Sequence, residues 1–203
     1  MDHGWANADE RRRRLAEYGG ANFCALMLAL ALLFLGARLT RADESAVAVE
    51  NRGGDCGVHG AFIVHTRGAI AWEVLTDYDG LSGFVTSMHS SRVEQGDFGR
   101  KFVRQEAVAK VFFIRRRMRV LLEIQEVPKR RIGFQDVLGK DFRSYVGAWK
   151  LSDVTGGTKV EYELVAVPRS AAGRTLCRKL LRDTAQELLE QVRAEMLRRG
   201  AKA

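Results

Sequence analysis

The chain has 203 residues, of which 46% are hydrophobic, 29% charged and 8% aromatic, close to a soluble globular average, which excludes global disorder and a polytopic membrane protein. Two prolines and three cysteines exclude a disulfide-stapled miniature domain and a cysteine-rich zinc module as descriptions of the whole. Thirty-three Lys and Arg against 25 Asp and Glu leave a net charge of +8, which permits an acidic partner such as lipid headgroups or nucleic acid without establishing one.

Residues 1–42 carry a targeting pattern. The charged run Asp9-Glu10-Arg11-Arg12-Arg13-Arg14 precedes 15 uninterrupted apolar residues from Phe23 to Ala37, followed by Arg38 and Arg41. A spanning helix wants about 20 such residues, whereas 15 suits the apolar centre of a secretory signal. Thr40-Arg41-Ala42 and Ala46-Val47-Ala48 both offer small-residue cleavage sites. The arginines before the run hold the N-terminus in the cytoplasm and send the remainder across the membrane. Three readings stay open: a cleaved signal, an uncleaved anchor, and a buried N-terminal helix. The first two predict a periplasmic or otherwise exported protein, or one anchored at the inner membrane with its domain outside the cytoplasm. Removal of residues 1–42 leaves +6, so the basic character is not the leader's alone. Residues 43–56 read as a linker and residues 57–200 as the folded domain.

Within that domain Val58 to Thr66 is rich in β-formers and predicts a first strand. Ala69, Trp72, Val74, Leu75 and Tyr78 then recur at helical spacing, and Asp77-Tyr78-Asp79-Gly80 ends that helix as a turn. Leu81, Phe84, Val85 and Met88 suggest a second short helix. From about 89 to 166 the pattern changes to period two, punctuated at Gly96-Asp97, Pro128-Lys129, Gly139-Lys140-Asp141 and Gly156-Gly157. Met118, Val120, Leu122 and Ile124 share one face of the clearest strand, and Lys159 to Leu164 alternates as cleanly, so one side of the sheet meets a core and the other meets water. About six strands follow one another in an antiparallel meander. Arg169 to Arg199 places Cys177, Leu180, Leu181, Thr184, Leu188, Val192 and Met196 on one stripe, which predicts a long amphipathic helix. Its apolar stripe must be buried, and the sheet is the only large partner available. The expected fold class is α+β: a curved antiparallel sheet of about seven strands around a long C-terminal helix, with an N-terminal apolar helix outside the domain.

Loss of the leader would remove Cys24 and leave Cys56 and Cys177, which an oxidising compartment allows to pair; spacing alone does not decide whether they do. The four histidines (His3, His59, His65, His89) lack metal-ligand spacing, so no metal is expected. No nucleophile elbow, phosphate loop or dinucleotide fingerprint is present, and no cofactor is implied.

A curved sheet and a straight helix do not match along their whole length, and a concave apolar cavity between them is the ordinary home of a hydrophobic small molecule. The same residues could instead fill a core. Ala71-Trp72-Glu73-Val74-Leu75-Thr76-Asp77-Tyr78-Asp79-Gly80-Leu81-Ser82-Gly83-Phe84-Val85 resembles the helix-turn-helix signature of the START-like (SRPBCC) superfamily, in its polyketide cyclase/dehydrase and coenzyme-Q-binding branch. Gly147-x-Trp149-x-Leu151 with Gly157-Thr158-x-Val160-x-Tyr162 resembles that family's last two strands. The likeness spans about residues 58–198, with Ser82-Gly83 where many members carry a proline.

The resemblance implies a helix-grip fold enclosing a pocket for a lipid, quinone or polyketide-like molecule. Uses within the family run from carriage of such a ligand to aromatase/cyclase chemistry and, in one branch, a ribosome-associated toxin. Expected pocket residues are Phe84, Met118, Val120, Leu122, Phe134, Asp136, Tyr145, Trp149, Tyr162, Leu180 and Leu188. An enzyme of the cyclase type would need polar groups in the pocket, for which Asp136, Tyr145 and Arg104 are the candidates, although none forms a recognised pair. Arg115-Arg116-Arg117 with Arg119, Lys129-Arg130-Arg131, and Arg174, Arg178, Lys179 and Arg182 would make a positive rim for an anionic membrane surface if they converge; otherwise they are a solvated face. Nucleic acid is disfavoured for want of an aromatic RNA-binding motif.

Overall fold

Burial alternates residue by residue along Gly157–Pro168, the strand nearest to an ideal period of two. A computed structural model describes residues 46–52, 55–111 and 114–203; the expected signal or anchor, its cleavage site at 40–42 and Cys24 lie outside them. Among the described residues eight strands form one sheet: β1 (Ala46–Arg52), β2 (Asp55–Val64), β3 (Met88–Gln95), β4 (Lys101–Val111), β5 (Ile114–Val127), β6 (Arg131–Asp136), β7 (Phe142–Val154) and β8 (Gly157–Pro168). Every pairing is antiparallel, in the order β1-β2-β8-β7-β6-β5-β4-β3. Helix α1 (Gly68–Thr76) and a 3-10 turn (Leu81–Gly83) carry the chain from β2 to the far edge at β3, and α2 (Ala171–Gly200) closes the domain. Because α2 touches β1 and β2 near one edge and β4 near the other, the sheet curls around it. This is the expected α+β arrangement of a curved sheet gripping a C-terminal helix. Among the described residues no helix is long and apolar enough to cross a membrane.

The six strands from β3 to β8 fall between the punctuating residues: Gly96, Pro128-Lys129, Gly139 and Gly156 all sit in connections. Two expectations are corrected. The segment 43–56 is not a linker throughout, since Ala46–Arg52 is an edge strand paired from Ala46 opposite Ala61 to Arg52 opposite Asp55. Its short run of alanine and valine also satisfies the composition of a cleavage site, which hid the strand. The stretch 81–88 is not a second helix. One 3-10 turn ends at Gly83, and Met88 already starts β3. Its apolar residues are spaced by how a loop folds back onto the core.

Packing is uneven along α2. Ala185, Leu189, Val192 and Met196 are buried, Leu189 and Met196 completely, in one cluster with Phe62, Val64, Ala71, Val74 and Val160. A Leu or Met to Ala change at such sites costs about 2–5 kcal/mol. The N-terminal half is held differently. Cys56 at the start of β2 and Cys177 in α2 are joined as a disulfide with Cα atoms 6.1 Å apart, within the usual range for a bridge.

An ion cluster joins the C-terminal turns of α2 to α1. Glu195 is buried, and its carboxylate accepts two hydrogen bonds from Arg198, each 2.6 Å, and one from Arg199 Nε at 2.7 Å. Arg199 also donates to Asp77 at 2.6 Å and, more weakly, to Glu73 at 3.4 Å. The Arg198 hydrogen bonds, with those of Arg199, outweigh burial and hold the Glu195 carboxyl down at about 2, against an ordinary 4.5. A depressed carboxyl stabilises the fold fully above its ordinary value and loses that contribution as pH falls through its folded one. Melting temperature should therefore be flat above pH 5 from this cluster and fall between pH 4.5 and 2, with roughly 3 kcal/mol at stake. Glu195→Gln should lower stability at pH 7 and flatten the acid limb; an unchanged acid limb would show that the cluster is not responsible.

Candidate functional site

Where α2 leaves the sheet, an apolar cavity of about 210 Å³ remains, open to the exterior. Leu180, Leu181, Thr184 and Leu188 form its wall on the helix side and are only half-buried, in contrast to the packed half of the same helix. Facing them are the inward residues of the central strands: Met118, Val120, Leu122 and Ile124 on β5, Ile132 and Phe134 on β6, Tyr162 and Leu164 on β8. These residues are spaced by two because one face of a pleated strand points one way. The cavity is smaller than the roughly 300–1,000 Å³ of pockets that bury a drug-sized molecule whole. A larger guest must extend through the mouth.

Strand β7 contributes Phe142, Tyr145 and Trp149. Phe142 and Tyr145 are three residues apart and would face opposite sides of a regular strand, but the register of β7 on β8 shifts between Phe142 and Ser144. The irregularity brings both rings to the cavity, 4.9 Å apart between centroids. Gly147 does the rest. A β-carbon there would lie 2.3 Å from the Glu163 carbonyl oxygen and 2.4 Å from Phe134 Cζ, so only glycine lets the Phe134 ring cross β7. Phe134 then approaches Tyr145 at 6.1 Å and Tyr162 at 6.2 Å, and Trp149 packs on Tyr162 at 4.5 Å. These separations are those of favourable ring contacts.

Nine of the eleven expected pocket residues line the cavity: Met118, Val120, Leu122, Phe134, Tyr145, Trp149, Tyr162, Leu180 and Leu188. Two do not. Phe84 packs on the core from the loop after the 3-10 turn. Asp136 ends β6 and organises the following turn, accepting the backbone N–H groups of Leu121 and Leu138 at 3.0 Å and Gly139 at 3.1 Å. Its apolar neighbours in sequence, Val137 and Leu138, are exposed, so they do not bury it. Arg104 is exposed on β4 and forms a bidentate pair with Glu94 of β3, at 2.6 and 3.0 Å. Of the three candidates for acid-base work, Tyr145 alone reaches the cavity.

Sequence reading missed Leu75, Tyr78, Leu81, Val85, Ser87, Met88, Gln105 and Phe142 among the lining residues. Leu81, Val85 and Met88 carried the right signal, apolarity, under the wrong element. Tyr78 closes one side of the cavity by donating its hydroxyl to Glu126 Oε1 at 2.6 Å, while Lys101 Nζ donates to the same oxygen at 2.7 Å. Burial and then this carboxylate push the Tyr78 phenol up. Burial alone would raise Glu126, but the hydrogen bonds from Lys101 and Tyr78 outweigh it and hold the carboxyl below its ordinary value.

The first two basic groups stand toward opposite ends of β5. Arg117 and Arg119 stand near the start of β5 and pair with Glu106 at 3.8 and 2.8 Å, whereas Lys129, Arg130 and Arg131 are exposed beyond its other end. At about 3.3 Å per residue the two groups are roughly 30 Å apart. Among the described residues, no group of three His, Cys, Asp or Glu side chains is placed to hold a metal ion.

Comparison with solved structures finds the same architecture in several proteins. A protein from Thermus thermophilus superposes with a TM-score of 0.61 at 20% identity, covering 70% of this chain and 98% of that one. An aromatase/cyclase from Streptomyces sp. R1128 gives 0.61 at 17%, covering 71% and 95%. A STAR-related lipid transfer protein from Xanthomonas axonopodis gives 0.54 at 14%, covering 76% and 99%. A search of curated proteins by sequence finds no match. The family model for polyketide cyclase/dehydrase and lipid transport matches residues 69–193, from the start of α1 to the packed half of α2, and the chain belongs to that family.

Proposed function

We propose that the domain holds an apolar small molecule, a lipid, quinone or polyketide-like compound, as a carrier or binding protein. The observation that carries this reading is the open apolar cavity along the N-terminal half of α2. Apolar walls remove hydrocarbon from water at about 25 cal/mol per Å², and a cavity too apolar to order water leaves that stabilisation to a ligand. The family's association with lipid transport and the fold shared with the Xanthomonas lipid transfer protein are consistent with it.

The runner-up is cyclase or dehydrase chemistry, favoured by the fold shared with the Streptomyces aromatase/cyclase. Against it stands the composition of the walls: the ionisable groups among the described lining residues are Asp141 and three tyrosines.

We further propose that residues 1–42 direct the domain out of the cytoplasm. A bridged Cys56–Cys177 pair suits an oxidising compartment, in agreement with the arginine-flanked apolar run.

One experiment tests both proposals. The full-length chain is expressed in a bacterial host, recovered from its periplasmic, membrane and cytoplasmic fractions, and weighed by native and then denaturing mass spectrometry. The expected result is a co-purifying apolar molecule on protein found outside the cytoplasm, the intact mass showing whether residues 1–42 remain. Repeated recovery with an empty cavity would overturn the carrier reading. Protein confined to the cytoplasm with free thiols would overturn export.

A further inference from the structure

We infer that the cavity selects a neutral molecule bearing a hydrogen-bond-accepting oxygen, a ketone, ester or quinone carbonyl, and that Tyr145 is the group that reads it. The inference rests on the carrier reading above and assigns the ligand class within it.

The described walls offer an anion no cation. Among the described residues no Lys, Arg or His lines the cavity. Its one carboxylate, Asp141, is already engaged, accepting the Arg119 backbone N–H at 3.0 Å. Against these residues a carboxylate ligand would give up its hydration without meeting a cation, a cost that a neutral carbonyl does not carry.

Ser87, Ser170, Thr184 and the Trp149 indole also line the cavity; the donors on the other polar groups can be followed one by one. Tyr78 spends its hydroxyl proton on Glu126. Gln105 donates to Ser91 Oγ at 3.3 Å. Tyr145 and Tyr162 stand together on the aromatic wall, and each phenol affects the other. Apart from each other, neither hydroxyl has a hydrogen-bond partner among the described residues. Two hydroxyls bring two protons, and a contact between them uses one, so a phenolic proton is left over.

Both phenols line the cavity, but Tyr162 is buried with Trp149 packed on it, whereas Tyr145 is half-buried. The spare proton is thus presented by Tyr145. Burial pushes both phenols up, Tyr162 the further of the two, so both are donors and not phenolates at neutral pH. An unpaired buried donor is costly, a cost that an acceptor oxygen on the ligand relieves.

The test uses three probes of one shape, 2-acetonaphthone (neutral ketone), 2-isopropylnaphthalene (no acceptor) and 2-naphthoate (anion), titrated into the wild-type chain and into Tyr145→Phe. In the wild type the ketone should bind three- to ten-fold tighter than the hydrocarbon, the worth of one net hydrogen bond, and the naphthoate more weakly than either. Tyr145→Phe should erase the ketone's advantage over the hydrocarbon, and a thermal melt reports that the variant is folded. Equal binding of ketone and hydrocarbon in the wild type, a preference that survives in Tyr145→Phe, a preference lost only in Tyr162→Phe, or tighter binding of naphthoate would each overturn the assignment while leaving the carrier reading intact. Failure of all three probes to bind would instead overturn the carrier reading, and this inference with it.

Discussion

Ala107→Trp should abolish binding of a neutral apolar fluorophore such as N-phenyl-1-naphthylamine, lowering affinity at least tenfold, while the domain stays folded. Ala107 lies on β4 opposite Met88 of β3 and Met118 of β5, and all three line the cavity. It is half-buried, so an indole introduced there has an open side and can lie into the cavity without displacing the packed cluster below. The guest then loses the apolar surface it would have covered, and each 1.4 kcal/mol of that loss is a factor of ten. Overpacking a closed core costs about 1–3 kcal/mol; at a cavity mouth the melting temperature should move less than that implies. Fluorophore titration and a thermal melt on the same samples separate the outcomes. Unchanged affinity would mean that the fluorophore binds elsewhere and that this cavity is not the site.

Breaking the Cys56–Cys177 bridge should destabilise the domain by roughly 2–5 kcal/mol. At 2–4 °C per kcal/mol for a domain of this size, that is a drop of about 4–20 °C in melting temperature. The two residues are 121 positions apart, so the link removes a large loop-closure entropy from the unfolded chain. It also acts locally. Cys177 lies among the cavity-lining residues of α2, the half of the helix that lacks the tight packing of Leu189 and Met196. Reduction should therefore speed hydrogen exchange in residues 175–184 more than in residues 185–200. A melt with and without dithiothreitol checks the first effect, and a Cys56→Ala/Cys177→Ala variant separates it from the chemistry of free thiols. Superimposable melts would show that the bridge does not hold the helix.

The long elements were legible because their burial follows one period. Tyr162 and Leu164 on β8, and Val120 and Leu122 on β5, show a strand's alternation in the sequence and in the fold. The stripe from Cys177 to Met196 predicted a helix with a single buried side. The signature around Trp72 to Val85 and the Gly147-x-Trp149 motif carried the family, and the glycine now has a reason: the Phe134 ring and the Glu163 carbonyl occupy the space of its missing side chain.

What escaped sequence reading depended on partners distant in the chain. Asp136 looked like a buried acid beside Phe134, Val137 and Leu138, but its surroundings are three backbone N–H groups of a turn and of the neighbouring strand. Phe142 was invisible as a cavity residue because a shift in strand register, which no local pattern encodes, turns it inward beside Tyr145. The edge strand at Ala46–Arg52 was obscured by a composition that also fits a cleavage site.

By itself the amino-acid order determined the fold: the alternation of period two, the 30-residue amphipathic helix and the punctuating glycines each specify an element through its own neighbours, and their apolar faces then have only one another to cover them. Whether those faces meet was decided in three dimensions. Apolar residues at identical spacing are packed solid around Met196 and line an open space around Leu180. The difference comes from where a curved sheet follows a straight helix and where it departs from it, a distance between two surfaces that periodicity along one chain does not contain.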